Sequence, residues 1–393
     1  MSNLCDFANT EIVQNRLRAG NGKIRLSLST LVVTMSLTGR YIEKEVTDMV
    51  LSSKIAGLLM LCTLVSAGRI SASGSESGNG LVTGEFKWVA GEPVLESMKL
   101  GDVQWIAVKD PSVVRYEGRW HVFCTVRGIE RSHAIMYVSL TQWDGAKEAE
   151  QHILKCHGGF FCAPQVFYFT PHKKWFLLCQ ASDESWEPKY GPACSTTTDI
   201  ADPGSWSKLT PLFDAKPSNI EGWLDFWIIC DDSKAHLFFT SLDGKMWRCE
   251  TSLENFPHGW SQPVVALQAD VFEASHTYRL KGLEKYLTII EAQNGHGWRY
   301  YKAYLADRLD GKWIPLAGEK DKAFASMQNV EHPAERWTDV VSHGELLRAG
   351  CDEKLQVDPE NLRFLFQGVL DKDRAGKNYG QILWRLGILQ PAR

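Results

Sequence analysis

LDFWIICDDSKAHLFFTSLDGKMWRCETS, residues 224–252, is the stretch whose reading decides the fold. An apolar run leads through a polar turn into a second run rich in Phe, and Asp243-Gly244 then turns the chain into a third. Short runs of β-branched and aromatic residues bounded by Asp, Gly and Lys are strand signals, and Asp-Gly between two of them marks a hairpin. The plan recurs outward in both directions. DPSVVRYEGRWHVFCTVRG (110–128) turns at Glu117-Gly118, APQVFYFTPHKKWFLLCQA (163–181) at Pro171 to Lys173, and FEASHTYRLKGLEKYLTIIEA (272–292) at Gly282. A looser fifth copy is HGELLRAGCDEKLQVDPENLRFLFQGV (343–369). Unit starts at Asp110, Pro164, Asp225, Glu273 and Glu345 are 54, 61, 48 and 72 residues apart. Units of three or four strands at such spacing are propeller blades, so the expected fold is all-β, a five-bladed β-propeller. A β-sandwich with long loops is the alternative.

Composition agrees with a folded chain that is not held to its partner by bulk charge. The 393 residues carry 43 basic and 47 acidic side chains, a formal charge of −4, which argues against a nucleic-acid protein. Fifteen tryptophans, all from residue 88 onward, fit either core packing or aromatic platforms for sugars. Trp120 and Trp175 hold equivalent places in second strands and read as packing; Trp186, Trp223 and Trp298 are the candidates for sugar stacking.

The uncharged run IAGLLMLCTLVSAG (55–68) is too short to span a bilayer and fits a secretory h-region, with Val65-Ser66-Ala67 as a cleavage site. Met49 gives it an ordinary signal-peptide opening. The expected organisation is therefore 1–48 as an extension foreign to the fold, 49–67 as signal peptide, 68–85 as a Gly/Ser-rich flexible leader, and 86–393 as the catalytic propeller. A secreted, extracellular protein follows. Eight of the ten cysteines lie beyond the leader, several inside apolar runs, and read as small buried hydrophobes more than as a disulfide framework.

Three units begin with a carboxylate set in apolar sequence: Asp110 in WIAVKDPSVV, Asp225 in GWLDFWIIC and Glu273 in ADVFEASHTY. Burying a carboxylate is costly unless it is paired or protonated. One such acid alone reads as a strand cap or a partner of Lys109. Three at matching positions of repeated units read as chemistry, because first strands line the channel of a propeller. Glycoside hydrolysis needs a protonated acid and an ionised base, and a third carboxylate nearby keeps the acid protonated by like-charge repulsion. No GxSxG, HExxH, GxxxxGK[ST] or GxGxxG motif competes, and the eleven His show no metal-ligand spacing.

WIAVKDPSVV–GRWHVF, APQVFYF–KKWFLL, LDFWIICDD–LFFTSLDGKM, FEAS–KYLTIIEA and SHGELLR–LQVDP–NLRFLFQG, closing with WRLGIL, resemble the glycoside hydrolase family 62 α-L-arabinofuranosidases over about residues 86–390. The resemblance implies a five-bladed propeller that removes arabinofuranosyl side chains from arabinoxylan with inversion; a monomer is the expected state. It implies Asp110 as general base, Glu273 as general acid and Asp225 as the residue tuning and orienting the acid. Lys109, Gln180, Arg299 and Tyr379 would line the arabinose pocket. His343 would face a channel where family members hold a structural calcium ion largely through water. Two departures stand out. The aromatic expected after Gln180 is absent, so that either Trp186 or Tyr190 serves as the xylan platform or that subsite is weaker, and Tyr379 is followed by Gly380 where an Asn is usual. A family 43 type arabinanase or xylosidase and a non-catalytic xylan-binding propeller are the other readings.

Overall fold

The computed structural model describes residues 31–37, 40–46, 80–129, 132–294 and 298–392. The expected start at Met49, the signal segment and the Gly/Ser tract up to residue 79 lie outside the described residues. The chain divides into two units, Met1–Ser73 and Gly74–Arg393. In the first, Leu31–Leu37 and Arg40–Val46 form an antiparallel hairpin with Leu31 facing Val46.

The second unit is built from five mainly antiparallel sheets, one for each unit expected from sequence. Blade I runs from the long strand Val103–Tyr116 through Arg119–Gly128 and Ala134–Leu140 to Gln151–Ile153. Blade II holds Phe161–Phe169, Lys174–Ser182, Tyr190–Thr197 and Thr210–Pro211. Blade III holds Leu224–Cys230, Lys234–Thr240, Lys245–Ser252 and Val264–Gln268; blade IV holds Glu273–Leu280, Tyr286–Asn294, Trp298–Ala306 and Ile314–Glu319. Blade V starts at Ser342–Leu346, three residues before the expected Glu345, and continues through Phe364–Gly368 and Arg385–Pro391. Its next strand is Trp88–Ala90, from the other end of the sequence, with Trp88 opposite Pro391 and Ala90 opposite Leu389. That pairing closes the ring. Trp88 is buried, and its indole N–H donates to the Phe324 carbonyl.

Burial falls from the axis outward, which is why the strands differ in composition. Leu224–Cys230 is buried at six of seven positions and reads as one apolar run, as a strand covered on both faces must. Lys245–Ser252 alternates, and the outermost strand Val264–Gln268 has no buried residue. Large aromatics fill the space between blades. Trp120 and Trp175, at 5% and 2% exposure, are packing residues as expected. Trp223 is not a platform for sugar: at 4% exposure it is wedged against Phe213, Phe226 and Phe239, because the Gly191 backbone leaves room for its indole. All eight cysteines of this unit are free thiols, and seven are buried.

Candidate active site

The first strand of every blade breaks its ladder at a bulge placed alike in each, and the long first strand of blade I breaks it once more between Trp105 and Ala107. Register shifts fall between Lys109 and Ser112, between Glu273 and His276, between Leu224 and Trp227, between Ser342 and Gly344, and opposite Leu178/Gln180 on the strand Phe161–Phe169. In four blades the bulged residue has positive φ: Asp110 (49°), Ala163 (50°), Asp225 (54°) and Ala274 (51°). Bulges re-aim side chains and release a backbone N–H from the ladder. Here each released N–H is taken by a side chain of the preceding blade. Asp110 N–H donates to Gln367 Oε1 (2.9 Å), Ala163 to Thr125 Oγ1 (2.8 Å) and Asp225 to Gln180 Oε1 (3.0 Å). Ala274 donates to Asp225 Oδ2 (3.0 Å), and His343 to Glu291 Oε2 (2.8 Å). The ring of bulges thus fixes both the blades and the residues they present to the axis.

The carboxylates do not occupy one repeated position. Asp110, well inside its strand, and Asp225 are true equivalents, whereas Glu273 lies one residue before the bulge and matches Lys109, Cys162 and Leu224. The bulge place in blade IV goes to Ala274, whose N–H holds Asp225. All three acids still converge. His343 Nδ1 sits 3.6 Å from Asp110 Oδ1 and 3.7 Å from Asp225 Oδ2. Lys109 Nζ lies 3.6 Å from Asp110 Oδ2 and 3.4 Å from the Tyr379 hydroxyl, whose ring it also covers. Arg299 Nη1 donates to Glu273 Oε1 at 2.8 Å, and the guanidinium is framed by the rings of Phe272, Tyr379 and Trp384.

These neighbours pull the acids apart in acidity. Burial pushes the Asp110 carboxyl up, but Lys109 and His343 outweigh it and hold the group below the ordinary carboxylate range. Asp225 goes the other way, pushed up to about 7 by burial and then by the Asp110 charge. Burial likewise raises Glu273; Arg299 opposes, and the charges of Asp225 and Asp110 add to the rise. His343 is lowered, chiefly by burial. One acid is kept ionised and two are held toward the protonated state, the division that acid–base cleavage of an acetal requires.

The remaining expected residues fall into place unequally. Gln180 spends its carbonyl oxygen on the Asp225 N–H, and its amide donates to Cys162 Sγ at 3.1 Å. Tyr379 is 46% exposed above Lys109. Trp186 is half-buried beside His157, with ring centroids 5.4 Å apart; Trp298 is 38% exposed. At Gly380, where the family usually has Asn, a Cβ would meet the Arg127 guanidinium, the movable end of a side chain that donates to the Gly380 carbonyl. Sequence reasoning missed Glu291, Ser342 and Gln367. Glu291 in TIIEA and Gln367 in FLFQG are polar residues inside otherwise apolar strands, and that was the available signal. Calcium prefers oxygen ligands, and among the described residues no three His, Cys, Asp or Glu side chains are placed to hold a metal. Among the described residues, those around His343 do not form a calcium cage by themselves.

A five-bladed propeller that gathers near its axis one carboxyl held toward its ionised form and another held toward its protonated form has the equipment of a glycoside hydrolase. Residues 88–390 match the family model of glycosyl hydrolase family 62. The chain is 37% identical over 314 residues to alpha-L-arabinofuranosidase C of Cellvibrio japonicus, covering 78% of this chain and 47% of that protein. It thus spans about half the length of that curated relative. The catalytic domain of a Coprinopsis cinerea family 62 alpha-L-arabinofuranosidase superposes with a TM-score of 0.74 at 34% identity, covering 79% of this chain and 98% of that one. A family 62 hydrolase in complex with xylotriose gives 0.73 at 32% identity, covering 80% and 99%. The protein described here belongs to glycosyl hydrolase family 62.

Proposed function

We propose that the chain is a secreted α-L-arabinofuranosidase that removes arabinofuranosyl branches from arabinoxylan with inversion, and that it works as a monomer. The observation that carries the reading is the opposed acidity of Asp110 and Glu273 within one pocket. Asp110, ionised beside Lys109, takes a proton from a water whose oxygen attacks the anomeric carbon. Glu273 gives its proton to the glycosidic oxygen, which leaves as the xylan hydroxyl. Exchange with solvent then resets both groups. Asp225 accepts the Ala274 N–H, while burial first, and then the carboxylate charges on the axis, hold the acid toward its protonated form. Lys109, Tyr379 and Arg299 surround the pocket with donors for furanose hydroxyls. The relatives' names and the xylotriose bound to one of them support the substrate class. The apolar run 55–68 supports secretion.

The test is arabinose release from wheat arabinoxylan, with arabinan as a control. Glu273→Gln and Asp110→Asn should each abolish release while circular dichroism stays unchanged. Near-wild-type turnover by either folded variant would remove the assigned roles. Release from arabinan alone would favour a family 43 type activity, and xylan binding without release a non-catalytic propeller.

A further inference from the structure

Behind Glu273 lies a second carboxylate that the hydrolytic scheme does not use. Glu291 sits directly opposite Glu273 in the strand pair of blade IV and is wholly buried. Its Oε1 accepts from Arg299 Nη1 (3.1 Å) and from Ser342 Oγ (2.9 Å), and its Oε2 accepts the His343 N–H (2.8 Å). The same Arg299 nitrogen donates to Glu273 Oε1 (2.8 Å) and Ser342 Oγ (3.0 Å). Two carboxylates therefore share one guanidinium, which leaves the trio one negative charge in excess.

Resting on the reading that Glu273 is the general acid, we propose that Glu291 is a positioning residue that divides the Arg299 charge and so keeps the acid protonated. Without Glu291 the guanidinium would serve Glu273 alone and favour its ionised form, which cannot protonate a leaving group. With it, the pair holds a proton between them to higher pH, and burial and the Glu273 charge push Glu291 itself up to about 8. The other charged or titratable groups facing the pair are Asp225 from blade III, Asp110 and Lys109 from blade I, His343 from blade V, Tyr301 from blade IV and Tyr379. Glu291 also ties the acid to the blade junction through the His343 bulge.

The test is the pH dependence of kcat/KM on an arabinoxylo-oligosaccharide. Bridged by one nitrogen, the two carboxylates have oxygens at most about 6 Å apart. Unit charges at that distance couple by about two pH units at an effective dielectric of about 20. Glu291→Gln should therefore move the alkaline limb at least about one unit toward lower pH, and Glu291→Asp, which keeps the charge, should leave the limb in place even if kcat falls. A limb that stays put in folded Glu291→Gln overturns the proposal, because a merely structural role would scale the rate at every pH alike. If Glu291→Gln does not fold, carboxyl carbon-13 titration replaces it: the Glu291 resonance should follow two steps in the wild type and one, at lower pH, in Glu273→Gln. A single unchanged step in both would also overturn it. Absence of hydrolysis by the wild type would count against the activity; the carbon-13 titration would still decide the pairing.

Discussion

Lys109→Met removes the ammonium nearest to Asp110 while keeping an unbranched apolar stem of similar length. Both groups are nearly buried, at 6% and 5% exposure, and Lys109 Nζ lies 3.6 Å from Asp110 Oδ2. At an effective dielectric of about 20, opposite unit charges at that distance attract by about 4–5 kcal/mol, equivalent to about three pH units. The Thr125 hydrogen bond to Asp110 survives the change, and water entering beside Met weakens the loss, so an upward shift of about one to three units is expected for Asp110. The base must be ionised to accept a proton from water. A raised Asp110 is ionised only at higher pH, so the acid limb of kcat/KM moves toward neutrality. Losing a sugar contact at Lys109 would lower the rate at every pH without moving the limb, which separates the two effects. The assay is arabinose release from an arabinoxylo-oligosaccharide between about pH 3 and 9, with circular dichroism at each pH. That control matters because stripping one partner from a buried ion pair costs about 3–5 kcal/mol. A folded variant whose acid limb coincides with that of the wild type would refute the claim that Lys109 sets the ionisation of the base.

Gln367→Ala removes the acceptor of the bulged Asp110 N–H and a donor to Ser342 Oγ. Leaving a buried N–H unpaired costs about 1–3 kcal/mol, so a lower Tm in calorimetry should accompany a fall in kcat with KM little changed, since the base rather than the sugar pocket is loosened. Dialysis against a chelator should leave the rate of arabinose release unchanged in a direct comparison with calcium-supplemented enzyme, while any effect of calcium appears in Tm.

The blades were legible because their first and second strands are buried on both faces and so stand out as apolar runs punctuated by Asp-Gly, Glu-Gly and Lys-rich turns. Blade V was harder to bound. Its first strand is short and its partners come from Phe364–Gly368, the C-terminal strand and Trp88–Ala90, and no local pattern announces a pairing across some 300 residues of sequence. The three carboxylates were legible as acids in apolar surroundings, but their geometric equivalence was not. Positive φ at Asp110 and Asp225 is tolerated by Asp more readily than by most residues; at Ala163 and Ala274 nothing in the residue type signals it. Trp223 misled because its place beside Asp225 in sequence looks like the pocket rim, whereas the bulge turns Asp225 to the axis and the indole toward the Phe cluster. Gln180 and Glu291 show a further limit. Their neighbours in the chain are apolar strand residues, and their partners are backbone N–H groups of the next blade, exposed only once a bulge has formed.

The most direct test of Asp110 as base and Glu273 as acid is the anomeric configuration of the sugar as it is released. Proton NMR in the first minutes of arabinoxylan hydrolysis should show β-arabinofuranose accumulating before mutarotation brings in the α form and the pyranoses. Initial release of α-arabinofuranose would mean retention through a covalent intermediate and would contradict the account.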